Sequence, residues 1–244
     1  MNKSDNKLIV ALDVATASEA RRLVSMLRGL TGMFKIGMQL FTAAGPALVR
    51  EIVNSGERVF LDLKYHDIPN TVALAGVEAT RLGVSIFNFH AVGGSEMMRR
   101  TRDAVDECVR TEGHAPPLVI AVTVLTSANE SVLNEIGLRW NPEELVTRLA
   151  MLAEASGMDG VVASPREVGL VRAAVKKSGF VVVAPGVRPA GAEHFDQKRV
   201  ATPAQALQAG ADYIVVGRPI LEAPDPAGAA QQILDEMESS AVTV

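Results

Sequence analysis

The chain has 244 residues, of which 48% are hydrophobic and only 4% aromatic, and its formal net charge is −4 at pH 7. This length fits one large domain. The low aromatic content predicts a core of aliphatic side chains, as in a parallel sheet that is buried on both faces. The negative charge argues against a nucleic-acid-binding protein, because no overall positive field would attract phosphate backbones.

The N-terminal region and the cysteine content bear on where the protein works. The first apolar run, residues 8–12, is too short for the core of a signal peptide or for a membrane span. Cys108 is the only cysteine, so no internal disulfide can form, as is typical of a reducing compartment. We therefore expect a cytoplasmic protein that does not associate with membranes.

Short apolar runs alternate along the chain with longer amphipathic stretches. The predicted strands are 7–13, 33–37, 58–64, 84–90, 118–124, 160–163, 180–184 and 213–216. The predicted helices are 18–30, with Ser18 as N-cap, and 42–54, 69–82, 95–111, 142–156, 165–177, 203–209 and 226–238. Eight strand–helix pairs predict a single-domain (β/α)₈ TIM barrel over residues 1–244. An open doubly wound sheet is the alternative, but no glycine-rich fingerprint follows strand 1.

The longest segment without a predicted element is 185–202, which follows strand 7. It is polar and rich in turn residues. Long loops in compact domains are usually functional or disordered, and in a barrel this one would lie at the catalytic, carboxyl-terminal face.

Charged residues end several predicted strands, where barrel enzymes build their active sites. Asp62 and Lys64 are two positions apart on strand 3 and therefore share a face, which we expect to be the barrel interior. Lys35 on the neighbouring strand can pair with Asp62, and Asp13 ends strand 1. A structural ion-pair network at the top of the barrel is the alternative. Asp67 could serve in the site or simply cap the third helix.

A second set of residues predicts a phosphate site. Gly217 and Arg218 follow strand 8, where barrels often bind phosphate through backbone N–H groups, and a guanidinium adds a bidentate donor. Arg188 and Gln197 in the preceding long loop could close over the same anion, or they could be ordinary solvated loop residues. The four histidines have no metal-ligand spacing, and we expect no metal site.

The run DLKYHDIPNT at 62–71 resembles the signature of the orotidine 5′-phosphate decarboxylase family. The DxKxxD core is shared by a wider superfamily, whereas the HDIPNT extension is far more specific. The resemblance runs from strand 1 to strand 8, and the order and spacing of the motifs are similar to the bacterial form. Its other parts are ALD at 11–13, FKIG at 34–37, VTVLTS at 122–127, PGVR at 185–188, Gln197 and VGRPI at 216–220.

The resemblance implies decarboxylation of orotidine 5′-monophosphate to UMP, the last step of de novo pyrimidine synthesis, without metal or organic cofactor. It implies that Lys64 is the general acid that delivers a proton to C6 as CO₂ leaves. Asp62 would lie beside the departing carboxylate. Lys35 would bond Asp62 and a ribose hydroxyl, and Asp13 would bind the ribose.

The resemblance also assigns roles outside this charged group. It implies a homodimer in which Asp67 and Thr71 are donated to the partner's site. Thr126 and Ser127 would contact the pyrimidine. The expected phosphate ligands are Arg188, Gln197, Gly217 and Arg218.

Two other functions are compatible with parts of the sequence. Sugar-phosphate decarboxylases of the same superfamily also resemble a DxKxxD barrel, but they use Mg²⁺ and typically carry an acid where Lys35 stands. A barrel that only binds a phosphorylated ligand is the second alternative. The complete charged set and the HDIPNT run favour the cofactor-independent decarboxylase over both.

Overall fold

The computed structural model describes residues 6–189 and 201–241. Eight parallel strands in this part of the chain are β1 Leu8–Ala11, β2 Met33–Gly37, β3 Val59–Tyr65, β4 Ile86–His90, β5 Leu118–Val122, β6 Gly160–Val162, β7 Val181–Pro185 and β8 Tyr213–Val216. The helices are α1 Ala17–Leu27, α2 Met38–Asn54, α3 Pro69–Arg81, α4 Gly94–Glu112, α5 Glu130–Glu135, α6 Pro142–Ala155, α7 Val168–Ala174, α8 Pro203–Gln208, α9 Arg218–Leu221 and α10 Pro226–Ala241.

The strands close into a barrel in sequence order, from β1 through β8 and back to β1. Every neighbouring pair is parallel, and β1 pairs with both β2 and β8. The predicted (β/α)₈ architecture is therefore confirmed. Among the described helices, none is long and apolar enough to cross a membrane.

The helix that follows β2 begins earlier than the sequence predicted. It starts at Met38 and contains a kink at Gly45, whose φ of 66° is open to glycine, and Pro46 comes next. Proline cannot donate the N–H that a continuous helix requires, so the chain forms two helical pieces here. The helix after β6 is shorter than predicted because residues 165–167 form a turn before it.

The expected cap of the first helix was wrong, and so was the capping alternative for Asp67. Thr16, and not Ser18, caps α1, because its Oγ1 accepts the N–H of Glu19 at 3.2 Å and the helix starts one residue earlier than predicted. Asp67 does not cap α3. The N-cap position there is Ile68, and the Asp67 carboxylate instead accepts the N–H of Ile68 at 2.6 Å. N-capping of α3 therefore does not account for the presence of an aspartate at position 67.

Side chains alternate between the barrel interior and the layer of helices, as strand geometry requires. The interior is filled by buried apolar side chains, of which only Phe60 is aromatic: Ile9, Ala11, Met33, Phe60, Ile86, Ile120, Val122, Val162, Val183 and Val215. A larger apolar cluster fills the space between strands and helices. The apolar interior forms a floor, and the carboxyl ends of the strands lie above it.

The long loop after β7 is held together at its base. Val187 forms a parallel bridge with Ala201, and the N–H of Arg188 donates to the carbonyl of Ala201 at 3.0 Å. Thr202 then starts α8 through a capping box with Gln205. The expected phosphate ligand Gln197 lies outside the described residues.

β6 and β7 approach each other closely at Gly160, where the barrel wall has no room for a side chain. A Cβ added at Gly160 in β6 would lie 2.1 Å from the carbonyl oxygen of Val181 in β7. We expect Gly160→Ala to lower the free energy of unfolding by about 1–3 kcal/mol, because the strands would have to move apart. Urea denaturation would measure this change.

Gly169 in α7 provides the matched control, because an added Cβ there meets no atom within 4 Å. Gly169→Ala should raise the free energy of unfolding by about 0.5–1 kcal/mol through helix propensity. A Gly160→Ala midpoint equal to that of the wild type would contradict the close contact.

Candidate active site

A row of four charged side chains crosses the carboxyl ends of β1, β2 and β3. The Nζ of Lys35 lies 3.0 Å from Asp13 Oδ1 and 3.5 Å from Asp62 Oδ2. The Nζ of Lys64 lies 2.7 Å from Asp62 Oδ1. The charges alternate along the row, so each ammonium has a carboxylate beside it. The structure thus brings together the four residues that the strand ends predicted.

Burial makes this alternation necessary. Lys35 and Asp62 are each only 8% exposed, and an isolated buried charge would be very costly. Burial alone would lower the pKa of Lys35, but the negative charges of Asp62 and Asp13 outweigh it and hold that pKa above its usual value.

The same balance applies to the Asp62 carboxyl. Burial alone would raise its pKa, but the charges of Lys35 and Lys64, with hydrogen bonds from Lys64 and Asn88, hold the pKa below its usual range. Both buried members of the row are therefore ionised at neutral pH.

Asn88 is a member of the site that the sequence analysis missed. Its side-chain NH₂ donates to Asp62 Oδ1 at 2.7 Å, and its side-chain oxygen accepts the backbone N–H of Lys64 at 2.8 Å. The side chain is fully buried on β4. A signal existed, because Asn88 is an amide two positions after the inward-facing Ile86 and lies between two phenylalanines.

Lys64 has an unusual backbone conformation. Its φ of 50° is positive, alone among the described non-glycine residues. The pairing of β3 with β4 shifts register between Leu61 and Tyr65 at the same place. Bulges of this kind occur next to active sites, where they redirect a side chain.

Two glycines leave room around the charged row. A Cβ on Gly37 would lie 3.1 Å from the Nζ of Lys35 and 3.4 Å from Asp13 Oδ1. A Cβ on Gly217 would lie 3.4 Å from the Cβ of Ala11 and 3.5 Å from Asp13 Oδ2. Side chains at these positions would crowd the lysine and the aspartate, so the glycines keep the row accessible from the cavity.

A cavity of about 230 Å³ opens above the row. Eight of the predicted site residues line it: Asp13, Lys35, Asp62, Lys64, Thr126, Arg188, Gly217 and Arg218. Its remaining wall is largely apolar and includes Val122, Val124, Leu125, Val162 and Val215. The cavity therefore has a charged side and an apolar side.

Two guanidinium groups lie on the cavity wall away from β3. Arg188 is 6% exposed and follows β7, and Arg218 follows β8 directly after Gly217. Two cations and an open backbone at one end of a cavity are suited to a phosphate group. The lysine row occupies the other strands, so a bound anion and the Lys64 ammonium can engage different parts of one molecule.

Three predicted residues do not line this cavity. Asp67 is exposed on the segment that leads into α3, Thr71 is exposed in the first turn of α3, and Ser127 is exposed beside Thr126. Gln197 cannot be located, because it lies outside the described residues. Asp67 and Thr71 are therefore not placed to contact a ligand in the cavity of their own chain.

One group of metal-ligating side chains occurs in the described residues, and it lies outside the cavity. Cys108, Glu112 and His114 could each offer one ligand atom. Glu112 is already paired with Arg81, whose guanidinium donates to both of its carboxylate oxygens at 2.5 and 3.0 Å. Within the cavity, the position between Asp13 and Asp62 is filled by the Lys35 ammonium.

Comparison with known proteins agrees with this geometry. The model of the "Orotidine 5'-phosphate decarboxylase / HUMPS family" matches residues 6–233. The orotidine 5′-phosphate decarboxylase of Syntrophotalea carbinolica is 54% identical over 234 residues, which is 96% of each chain. That of Moorella thermoacetica is 51% identical over 96% of this chain and 92% of its own.

Solved structures give the same result. The orotidine 5′-phosphate decarboxylase of Lactobacillus acidophilus superimposes with a TM-score of 0.83 and 37% identity, covering 96% of this chain and 99% of that chain. That of Pyrococcus horikoshii has a TM-score of 0.73 and 28% identity over 95% and 99%. Because sequence and fold both agree over nearly the whole length, the chain belongs to the orotidine 5′-phosphate decarboxylase / HUMPS family.

Proposed function

We propose that Lys64 is the centre of the reaction that this chain catalyses, the decarboxylation of orotidine 5′-monophosphate to UMP and CO₂ in pyrimidine biosynthesis. The observation that carries the proposal is the position of the Lys64 ammonium. It lies on the cavity wall, 2.7 Å from a buried carboxylate, and it is the last cation of an alternating row.

The chemistry requires a cation at this point. When the bond between C6 and the carboxylate breaks, its electron pair stays on C6 in the plane of the ring, where no neighbouring π system can delocalise it. Stabilisation must then be electrostatic and preorganised. The Lys64 ammonium supplies the positive charge and then transfers its proton to C6, which gives UMP, while CO₂ leaves. The neutral amine regains a proton from solvent.

Asp62 assists in two ways. Its charge pairs with the Lys64 ammonium at 2.7 Å and fixes the position of that group. It would also lie beside the substrate carboxylate, where repulsion at ~4 Å and an effective dielectric constant of ~20 amounts to about 4 kcal/mol. That corresponds to roughly a thousandfold in rate, whereas enzymes commonly reach about 10⁶-fold or far more. Stabilisation of the transition state by Lys64 is therefore the dominant contribution.

Lys35 and Asp13 serve the ribose. Asp13 has a half-exposed side chain at the cavity mouth, so its second carboxylate oxygen can accept a ribose hydroxyl. Lys35 is shared between Asp13 and Asp62 and can donate to a second hydroxyl. The ribose is thus held by the same groups that support the catalytic lysine.

The two ends of the nucleotide are bound by other segments. Thr126 lies on the cavity wall after β5, and with Ser127 it contacts the pyrimidine. The phosphate is held by Arg188, Gln197, Gly217 and Arg218, with the loop at 185–202 closing over it. Binding energy from this remote group can support closure of the site and exclusion of water.

The enzyme works as a homodimer in which Asp67 and Thr71 enter the partner's site. Both residues are exposed and lie outside their own cavity lining. Large apolar side chains are also exposed on the segments that follow the neighbouring strands β2, β3 and β4: Met38, Ile68, Leu74 and Val92, each at least 47% exposed. Such a concentration of exposed apolar side chains marks an interaction surface, and a second copy of this chain would cover it.

The reaction needs no metal or organic cofactor. In the sugar-phosphate decarboxylases of the superfamily, an acidic residue replaces Lys35 and Mg²⁺ stabilises the intermediate. Here the ammonium groups of Lys35 and Lys64 together balance the charges of Asp13 and Asp62, which removes the negative field that would attract a divalent cation. The enzyme is cytoplasmic, as its single thiol, Cys108, suggests, since that residue is free and buried.

Replacement of Lys64 by alanine tests the centre of the proposal. We expect kcat to fall by about 10⁴-fold or more, since the change removes a proton donor worth roughly 10²–10⁴ and a cation worth roughly 10²–10³. Loss of pyrimidine absorbance measures the rate, and circular dichroism checks the fold. Lys176→Ala, which removes an exposed lysine, is the control. Near-normal turnover of Lys64→Ala would refute the role of this residue.

Replacement of Arg218 by alanine tests the phosphate site. We expect the affinity for UMP to fall by about 10- to 100-fold, because hydrogen bonds to a charged group contribute roughly 1.5–3 kcal/mol. Affinity for uridine, which has no phosphate, should stay the same, and calorimetric titration measures both. Arg166→Ala is the control, since Arg166 is an exposed guanidinium after β6 that does not line the cavity. An unchanged affinity for UMP would remove Arg218 from the site.

Mixing two inactive variants tests the shared site. In a hybrid dimer of Lys64→Ala and Asp67→Ala chains, one of the two sites receives both wild-type residues if Asp67 acts across the interface. A random mixture should then recover about a quarter of the wild-type activity. Verified hybrids without recovery would assign Asp67 to the site of its own subunit or to none.

A further inference from the structure

Asn88 is a buried amide whose position in the barrel wall is not explained by packing. Its neighbours Phe87 and Phe89 belong to the apolar layer between strands and helices. Asn88 therefore faces the barrel interior, above Ile86. The interior-facing side chains of the cluster beneath Asn88 are all apolar. A polar group at full burial is costly unless its hydrogen bonds are made.

The amide makes one hydrogen bond with each of its two ends. The N–H of Lys64 can only donate, so it fixes the side-chain oxygen of Asn88 toward the backbone at 2.8 Å. The NH₂ group must then point toward Asp62 Oδ1, at 2.7 Å. That same carboxylate oxygen receives the Lys64 ammonium. One planar amide thus contacts both the main chain of the lysine and the acceptor of its side chain.

The strand pairing explains why a side chain is needed here. Leu61 pairs with Phe87 and Tyr65 pairs with Phe89, so the three residues 62–64 of β3 lie opposite Asn88 alone. A ladder cannot supply regular backbone partners to three residues from one. The Asn88 side chain takes the place of a backbone acceptor for Lys64, whose positive φ is unfavourable for a residue with a Cβ.

We infer that Asn88 is a positioning residue of the decarboxylation, which holds the Lys64 bulge and the Asp62 carboxylate in one fixed relation. This inference rests on the proposed role of Lys64. Asparagine suits the task because it offers a donor and an acceptor on one rigid group and adds no charge. The row of two lysines and two aspartates keeps its balance, and the ammonium stays at the cavity wall.

The leucine variant removes both hydrogen bonds and keeps the number of side-chain heavy atoms. We expect Asn88→Leu to lower kcat by about 100-fold or more, since misplacement of a reacting group by about 1 Å costs roughly that much. The affinity for UMP should change by less than about threefold, because the phosphate ligands are untouched. Thr80→Val is the control, as Thr80 is also fully buried and hydrogen-bonded, within α3 and away from the cavity.

Deuterium uptake at C6 of UMP in D₂O gives a readout that a purely structural role would not change. This exchange needs the Lys64 proton transfer but no CO₂ departure. If Asn88 positions Lys64, the exchange rate should fall in parallel with kcat. An unchanged exchange rate, a kcat within about threefold of the wild type, or a loss of rate matched by an equal loss of UMP affinity would each overturn the inference.

The isosteric Asn88→Asp variant separates the two ends of the amide and keeps the packing if the leucine variant does not fold. A carboxylate at position 88 still accepts from the Lys64 N–H, but it cannot donate to Asp62. The charged groups that face it are Asp62 and Lys64, with Lys35 behind Asp62 and His90 further along β4. On the other side, the residue in register is the apolar Ile120.

The pH profile of the aspartate variant then has a defined direction. Two adjacent carboxylates raise the pKa of one of them, and protonation restores an O–H donor toward Asp62. The ratio of variant to wild-type activity should therefore rise as the pH falls. A ratio that stays constant with pH would overturn the inference. If Lys64→Ala retains turnover, the role of Lys64 itself fails. If Lys64→Ala is inactive and Asn88→Leu is active, only the inference about Asn88 fails.

Discussion

The buried negative charge of Asp62 is the constraint on which the rest of the site depends. A carboxylate that is 8% exposed cannot be solvated by water, so its charge must be balanced by neighbouring side chains. Lys35 comes from β2, Lys64 from the end of β3 and Asn88 from β4. Parallel strands bring these carboxyl ends to one edge, so a residue on each of three consecutive strands reaches the same carboxylate. Removal of either lysine would leave the remaining charges unbalanced, and removal of Asn88 would take away a hydrogen bond to Asp62.

The mouth of the barrel is divided into two halves with different physical properties. The uppermost interior positions of β1 to β4 are polar or followed by a polar residue. The last interior residues of β5, β6 and β8 are instead Val122, Val162 and Val215. The apolar half lowers the local dielectric constant and so strengthens the interaction of Lys64 with a developing negative charge. The two arginines lie after β7 and β8, beyond the valines, where a phosphate can bind without neutralising the lysines. The order of the strands therefore places the two lysines and the two arginines on different sides of the cavity.

The sequence predicted the barrel, all eight strands and the charged row, because these depend on local periodicity and on residues at strand ends. It predicted Tyr213–Val216 with its observed bounds. The kink at Gly45 was missed, since the predicted helix 42–54 ran through Gly45 and Pro46 without a break. Asn88 was missed because one amide between two phenylalanines does not form a recognisable sequence motif. Its meaning depends on the register between β3 and β4, which alternation within one strand does not specify.

The position of Lys64 illustrates why that register matters for chemistry. In a regular strand, successive inward-facing residues are about 6.6 Å apart along the strand. A lysine two positions after Asp62 would then lie closer to the rim of the barrel. The bulge sets residues 62–64 opposite one residue of β4, so Leu63 uses no ladder position of its own. A left-handed lysine costs of order 1–2 kcal/mol, and the hydrogen bond from its N–H to Asn88 and the ion pair with Asp62 offset that cost. The strained backbone is thus tolerated because the same contacts that stabilise it also hold the ammonium where the proton has to be delivered.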